Sequence, residues 1–192
     1  MKVKIMGNIL WSAPAKSNTN YFLLNFTGLA IMNSVYILLG ANLGDPHRQL
    51  ENAVAEIEKQ VGKIVKRSSI YESEAWGVRD QPTFLNQVLV VETAHKPLEC
   101  LHICQDIEQR LGRVRERKWG ARVIDIDLLY FNDEVMQSDE LTIPHPYIQE
   151  RNFTLIPLNE ISPNYVHPKL NQTNYALLQQ SADQSTVNIH HE

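Results

Sequence analysis

The chain has 192 residues, 43% of them hydrophobic and 21% charged, with a net charge of −4 at pH 7. That is enough for one domain with a real core, and it excludes a protein whose whole surface traps polyanions. No stretch approaches the length of a transmembrane helix.

Residues 1–34 contain no Asp or Glu, and Lys2, Lys4 and Lys16 are their only charges. They read as a poorly ordered leader, with Met32 at or near the natural start. Lys2 and Lys4 followed by an apolar run and Ala13-Pro-Ala15 make a weak secretory pattern, broken by Gly7 and Asn8. Residues 35–39 are an apolar run of strand formers closed by Gly40. Asp45 and Pro46 then suit an N-cap and a first helical position, and Leu50, Val54, Ile57 and Val61 make a helical stripe up to Gly62. Gly40-Ala-Asn42-Leu-Gly44 is therefore a strand-to-helix turn.

Residues 64–71 read as a second strand, residues 73–82 as an irregular loop containing Trp76, and residues 84–93 as a third strand with Phe84, Asn86, Val88 and Val90 on one face. Pro97 begins a helix that runs to Leu111 and stops at Gly112. Cys100 and Cys104 lie four apart on it and read as buried free thiols, because no further Cys or His pair stands nearby to complete a zinc site. A reducing, cytosolic setting follows.

Residues 112–129 join two opposite chemistries. The first part carries Arg113, Arg115, Arg117, Lys118 and Arg122 with Glu116 as its single acid; the second is apolar except for Asp125 and Asp127. In a strand, residues two apart point to the same face, about 6.6 Å apart along the chain. Both carboxylates then project from one side while Ile124, Ile126 and Leu128 pack on the other. Paired carboxylates suit magnesium, and a run of cations beside them suits a polyanion that carries the metal; a magnesium–nucleoside triphosphate satisfies both. After this strand, Asn132-Asp133 makes a turn and residues 134–137 are expected to pair back on it. Residues 141–146 are extended because each proline disfavours helix before it. Residues 147–158 look helical, with Pro157 disturbing the end, and residues from 171 onward read as a weakly ordered polar tail.

The run Lys118-Trp-Gly-Ala-Arg122-Val-Ile-Asp125-Ile-Asp127-Leu-Leu129 resembles the signature of the hydroxymethyl-dihydropterin pyrophosphokinase family of folate biosynthesis. Gly40-Ala-Asn42, Asp80-Gln-Pro-Thr-Phe84-Leu-Asn86 and Thr142-Ile-Pro-His145-Pro with Arg151-Asn-Phe153 extend the resemblance over about residues 35–163. It implies transfer of the diphosphoryl group of ATP to the hydroxymethyl group of 6-hydroxymethyl-7,8-dihydropterin, releasing AMP. It implies two magnesium ions on Asp125 and Asp127, with Arg113, Arg115 and Arg122 completing the catalytic set. Gly40, Asn42, Trp76, Phe84, Asn86 and Phe153 would take the pterin. Gln105, Glu108, Lys118, Trp119, Leu128, Thr142, His145 and Arg151 would take the nucleotide. The chain departs from the family's usual pattern at Lys118 (commonly Arg), Ala121 (commonly Pro), Phe84 (often Tyr) and Tyr147 (often basic).

The element order β-α-β-β-α-β, with a late hairpin and short helices, points to an α+β fold with an antiparallel sheet. It matches the ferredoxin-like core that the resemblance implies. The expected organisation is a leader at 1–34, a pyrophosphokinase domain at 35–170 and a tail at 171–192. The enzyme is expected to be cytoplasmic, a monomer or weak homodimer, acting on small molecules without nucleic acid or membrane. Two other readings compete: an RNA-binding module using the basic loop, and a different magnesium-dependent nucleotidyl or phosphoryl transferase.

Overall fold

A computed structural model describes residues 32–75, 81–113 and 121–191. Residues 1–31 of the expected leader, Trp76, Arg115, Lys118 and Trp119 lie outside the described residues, and the last two leader positions, Asn33 and Ser34, belong to the first strand. The central strand β1 (Asn33–Ala41) pairs antiparallel with β4 (Phe84–Thr93) on one side and β5 (Asp125–Phe131) on the other. Beyond β4 lie β2 (Lys63–Arg67) and β3 (Tyr71–Ser73), both paired to it. Helix α1 (Pro46–Gln60) connects β1 to β2, and α2 (Pro97–Arg110) connects β4 to β5. This is the ferredoxin-like βαββαβ arrangement, with its second strand in two pieces.

The break in the second strand has a local cause. Ser68 places its hydroxyl on the Val88 N–H at 3.0 Å, while its own N–H donates to the Val88 carbonyl at 2.9 Å. Both backbone groups of Val88 are thus taken by one residue, and the side chain stands in for a ladder bond. Pairing runs Arg67↔Leu89 before the break and Tyr71↔Asn86 after it, one residue out of step.

Alternation divides the sheet into two buried faces. Val35, Ile37, Leu39 and Ala41 of β1 pack with Leu50, Ala53 and Ile57 of α1, with Cys100, Cys104 and Ile107 of α2, and with Ile126 and Leu128 of β5. Both cysteines are free and fully buried, as expected. On the opposite face Tyr36, Leu38, Val88, Val90, Leu129 and Tyr130 pack under Leu155 and Leu158 of α3 (Asn152–Ile161) and Leu177 of α4 (Asn174–Gln180). The α3–α4 layer leaves part of the second face open.

Three local expectations are corrected. Residues 134–137 do not pair back on β5; β6 (Met136–Gln137) pairs with β7 (Thr142–Ile143), followed by a cis Ile143–Pro144 bond. The helix expected over 147–158 is a single 3-10 turn at Ile148–Glu150, an extended Arg151, and then α3, which continues past Pro157 to Ile161. Proline offers no N–H to the carbonyl four residues back, yet Leu155 and Leu158, both fully buried, hold the helix on the sheet.

The residues after 170 are not a weakly ordered tail. Thr173 caps α4 by accepting the Ala176 N–H, and the buried Asn174 side chain accepts the Tyr130 hydroxyl at 2.8 Å and donates to the Ser162 carbonyl at 2.9 Å. The chain then forms β8 (Val187–Ile189), which extends the sheet beyond β3. Among the described residues no helix is long and apolar enough to cross a membrane.

Candidate active site

The open part of the second sheet face is a cavity of about 260 Å³. Its floor comes from β1, β4 and β5. Gly40 pairs with Asn86 on one side and with Asp125 on the other, so these three stand in a row across the sheet. A Cβ on Gly40 would lie 3.4 Å from Asn86 Oδ1 and 4.0 Å from Phe84 Cδ1 and the Asp125 Cβ. Glycine thus keeps the floor flat and open between an amide, a ring and a carboxylate. Asn86 is 3% exposed and donates its Nδ2 to the Ser73 hydroxyl at 2.8 Å, which fixes its amide with the oxygen towards Gly40.

Asp125 and Asp127 both line the cavity, and Ile124, Ile126 and Leu128 face the helices, as the alternation requires. Asp125 is paired with two arginines, Arg122 and Arg113, the latter at 2.6 Å. Asp127 is pushed up to about 7, first by burial and then by the charge of Asp125. Two carboxylates side by side, that of Asp127 desolvated, are the donor set that a divalent cation compensates.

The end of α2 sets Arg113. Gly112 has φ +93, its N–H donates to the Gln109 carbonyl, and the Arg113 N–H returns to the Glu108 carbonyl at 3.0 Å. This is a Schellman ending, which needs a left-handed residue at Gly112. The turn folds Arg113 back onto the carboxylate of Glu108, with which it is paired. Glu108, 3% exposed, also accepts the Ile126 N–H at 2.8 Å. Burial raises its pKa and Arg113 opposes the rise. Glu108, expected as a nucleotide contact, is not among the residues lining the cavity; it ties α2 to β5 beneath the two aspartates.

The opposite wall comes from residues 145–153. His145 N–H donates to the Leu129 carbonyl at 2.9 Å, bringing the segment over β5. Burial, then Arg151, lowers the His145 pKa to about 4, so the ring is neutral. The Arg151 guanidinium lies 4.8 Å from the Tyr147 ring centre and 5.6 Å from that of Phe153, a cation between two aromatic faces.

Of the expected site residues, Gly40, Phe84, Asn86, Arg113, Arg122, Asp125, Asp127, His145, Arg151 and Phe153 meet around this one cavity. Asn42 does not line it. Its Oδ1 accepts the Arg122 N–H at 2.8 Å and its Nδ2 donates to the Pro82 carbonyl at 3.2 Å, so its side chain ties two loops. Leu128 is buried among the helix-side residues, because it alternates with the aspartates. Gln105 and Thr142, both half-buried, stand outside the cavity wall. Leu38, Ser73, Glu74, Gln81 and Tyr147 line it without having been expected. Phase with Gly40 marks Leu38 on the same strand face; the other four sit at strand ends and turns, where periodicity carries no signal.

Among the described residues there is no group of three or more His, Cys, Asp or Glu placed to hold a metal ion. Asp125 and Asp127 fit magnesium only as a partial set, the usual arrangement where phosphates and water supply the other ligands.

The family described as 7,8-dihydro-6-hydroxymethylpterin-pyrophosphokinase matches residues 36–163. A 2-amino-4-hydroxy-6-hydroxymethyldihydropteridine pyrophosphokinase of Aquifex aeolicus is 42% identical over 137 residues, covering 71% of this chain and 85% of the relative. The enzyme of that name from Haemophilus influenzae is 39% identical over 159 residues, covering 82% of this chain and 99% of the relative. The crystal structure of wild-type Plasmodium falciparum HPPK-DHPS superposes with a TM-score of 0.63 at 20% identity, over 80% of this chain. This chain spans 45% of that longer protein, and the likeness establishes the shared fold.

Proposed function

The chain belongs to the 7,8-dihydro-6-hydroxymethylpterin-pyrophosphokinase family, and from that premise we propose that it transfers the diphosphoryl group of ATP to 6-hydroxymethyl-7,8-dihydropterin. The hydroxymethyl oxygen attacks the β-phosphorus and releases its proton to water, the bond from that phosphorus to the α,β-bridging oxygen breaks, and AMP leaves with the oxygen. The observation that carries this reading is the meeting of two chemistries in one cavity: a carboxylate pair flanked by arginines, next to an aromatic and amide-lined floor.

Asp125 and Asp127 would hold magnesium, in the fuller reading two ions. Bound there, magnesium would neutralise phosphate charge and acidify the attacking hydroxyl. Arg113 and Arg122, already on Asp125, would meet the charge that develops on the phosphoryl oxygens. Arg115, Lys118 and Trp119 are assigned to the same nucleotide end, as are Gln105 and Thr142 at its periphery. The neutral His145 would offer a hydrogen bond there, not a charge.

At the other end Phe84 and Phe153 present rings for a flat heterocycle, and the Asn86 oxygen accepts from its amino edge. Trp76 is assigned to this end by its place in the loop before Phe84. The working unit is the folded chain from β1 through β8, in the cytoplasm, as a monomer or weak homodimer. An assay with ATP, magnesium and the reduced pterin, resolving AMP from ADP, tests the proposal. AMP and a diphosphorylated pterin are expected; ADP would make the chain a simple phosphotransferase instead.

A further inference from the structure

The segment after α4 lies beyond the residues the family match covers, yet it touches both walls of the cavity scaffold. Helix α3 begins just after Arg151, and no side chain of its own caps it. Its first N–H, on Asn152, donates instead to Asp183 Oδ2 at 2.7 Å, and the Asn152 Nδ2 donates to the Asp183 carbonyl at 2.8 Å. Asp183 is itself held. Its Oδ1 accepts the Ser185 N–H and its Oδ2 accepts the Ser185 hydroxyl, both at 2.9 Å, while its N–H donates to the Ser181 hydroxyl at 3.2 Å. Asn152 stands between Arg151 and Phe153, the two cavity residues of this wall.

From Ser185 the chain enters β8. Val187 pairs with Ser73, and the His190 N–H donates to the Ile70 carbonyl at 2.8 Å. Ser73 is the residue that orients the Asn86 amide. One short segment thus holds the first turn of α3 and the outer strand that aims Asn86.

We propose that Asp183 is a positioning residue for the pterin end of the cavity, fixing Phe153 and Arg151 through Asn152 while β8 fixes Ser73 against Asn86. An anionic oxygen on the first N–H of a helix satisfies a donor that would otherwise be free and complements the helix dipole. Without it the first turn frays, and Phe153 lies in that turn. The proposal rests on the pterin reading of the site for its consequence, but its structural half stands apart from it.

The test uses the full chain with Asp183→Ala, Asp183→Asn and, as a control at an exposed neighbour, Gln184→Ala. Hydrogen exchange of residues 152–156 reads the brace without any ligand. Equilibrium binding of 6-hydroxymethyl-7,8-dihydropterin, below the unfolding temperature of each variant, reads its consequence. Asp183→Ala should speed exchange and weaken pterin binding by roughly five- to tenfold, with less change in ATP affinity. Asp183→Asn keeps an acceptor and should restore both readouts to near the parent, and Gln184→Ala should leave both unchanged. If Asp183→Ala does not fold, Ser185→Ala, which removes only the hydroxyl bond to Oδ2, should move both readouts in the same direction by less. Pterin affinity within twofold of the parent in the folded Ala variant, or parental exchange and affinity in Ser185→Ala where that is the variant tested, overturns the proposal. A parent chain that binds no pterin at all fails the functional reading, while the exchange result still decides the brace.

Discussion

Glu108 accepts the Ile126 N–H at 2.8 Å, at the strand position between Asp125 and Asp127. Strand β5 pairs with β1 along one side, and the buried Glu108 carboxylate takes a backbone donor that an edge strand leaves over. The same carboxylate is paired with Arg113. Glu108→Ala should therefore cost about 1–3 kcal/mol of stability, the usual effect of stranding a buried donor, and should slow turnover by freeing Arg113. Glu108→Gln keeps an acceptor and should lose less of each. Urea unfolding beside turnover checks this; a stable, fully active Ala variant would remove Glu108 from the scaffold.

The two aspartates should differ on replacement. Asp127 is raised to about 7 by burial and by its neighbour's charge, so Asp127→Asn should melt at the parent temperature or slightly above it. Asp125 carries both Arg113 and Arg122, so Asp125→Asn should melt lower. Both variants should lose most of their turnover at saturating ATP. A magnesium titration of AMP formation measures it, and near-normal turnover in both would reduce the pair to a solvated strand face.

Two half-buried groups of the cavity pull the pH dependence in opposite directions. His145 titrates at about 4 in the fold against 6.5 in the unfolded chain, so its contribution to stability is lost as pH falls from 6.5 towards 4. Asp127 titrates at about 7 against 3.8, so its contribution is full below 3.8 and lost as pH rises through 7. In the absence of magnesium, Asp127→Asn should lose stability more steeply than the parent between pH 7 and 4. His145→Gln should gain stability relative to the parent over the same fall. Urea midpoints across that range decide the matter, and three parallel curves would rule out the opposition.

Gly40→Ala should fold, since alanine is tolerated in a strand and its Cβ would meet Asn86 Oδ1 at 3.4 Å without backbone clash. The methyl group would nevertheless rise from the cavity floor. Pterin affinity should fall about tenfold, as for a ligand displaced by one methyl-sized obstruction, with ATP affinity nearly unchanged. Calorimetric titration of each ligand separates the two, and a loss confined to ATP would place the pterin elsewhere.

A chain beginning at Met32 should fold and turn over like the full chain, because the family match begins at residue 36 and β1 at Asn33. Circular dichroism and the AMP assay together test this; insolubility or inactivity would make residues 1–31 part of the fold.

Short-range chemistry made much of this protein legible from its sequence. Asp45 and Pro46 start α1, Gly112 stops α2, and alternation alone puts Asp125 and Asp127 on one face with Ile126 on the other. Each of these depends on residues within one helical turn or one pleat of each other. Tertiary structure decided what polar side chains do when their partners come from far along the chain. Asn42 reaches Arg122 and Pro82 and so ties loops; Glu108 reaches Ile126 and is buried; Asp183 reaches back to Asn152. Ser68 broke a strand that reads as continuous because it met Val88 across the sheet. The polar stretch after residue 170 lacks a periodic apolar face, yet Asn174 and Leu177 find burial under the existing layer and β8 finds an open sheet edge. Such donors and edges exist only once the sheet has formed, and no local pattern announces them.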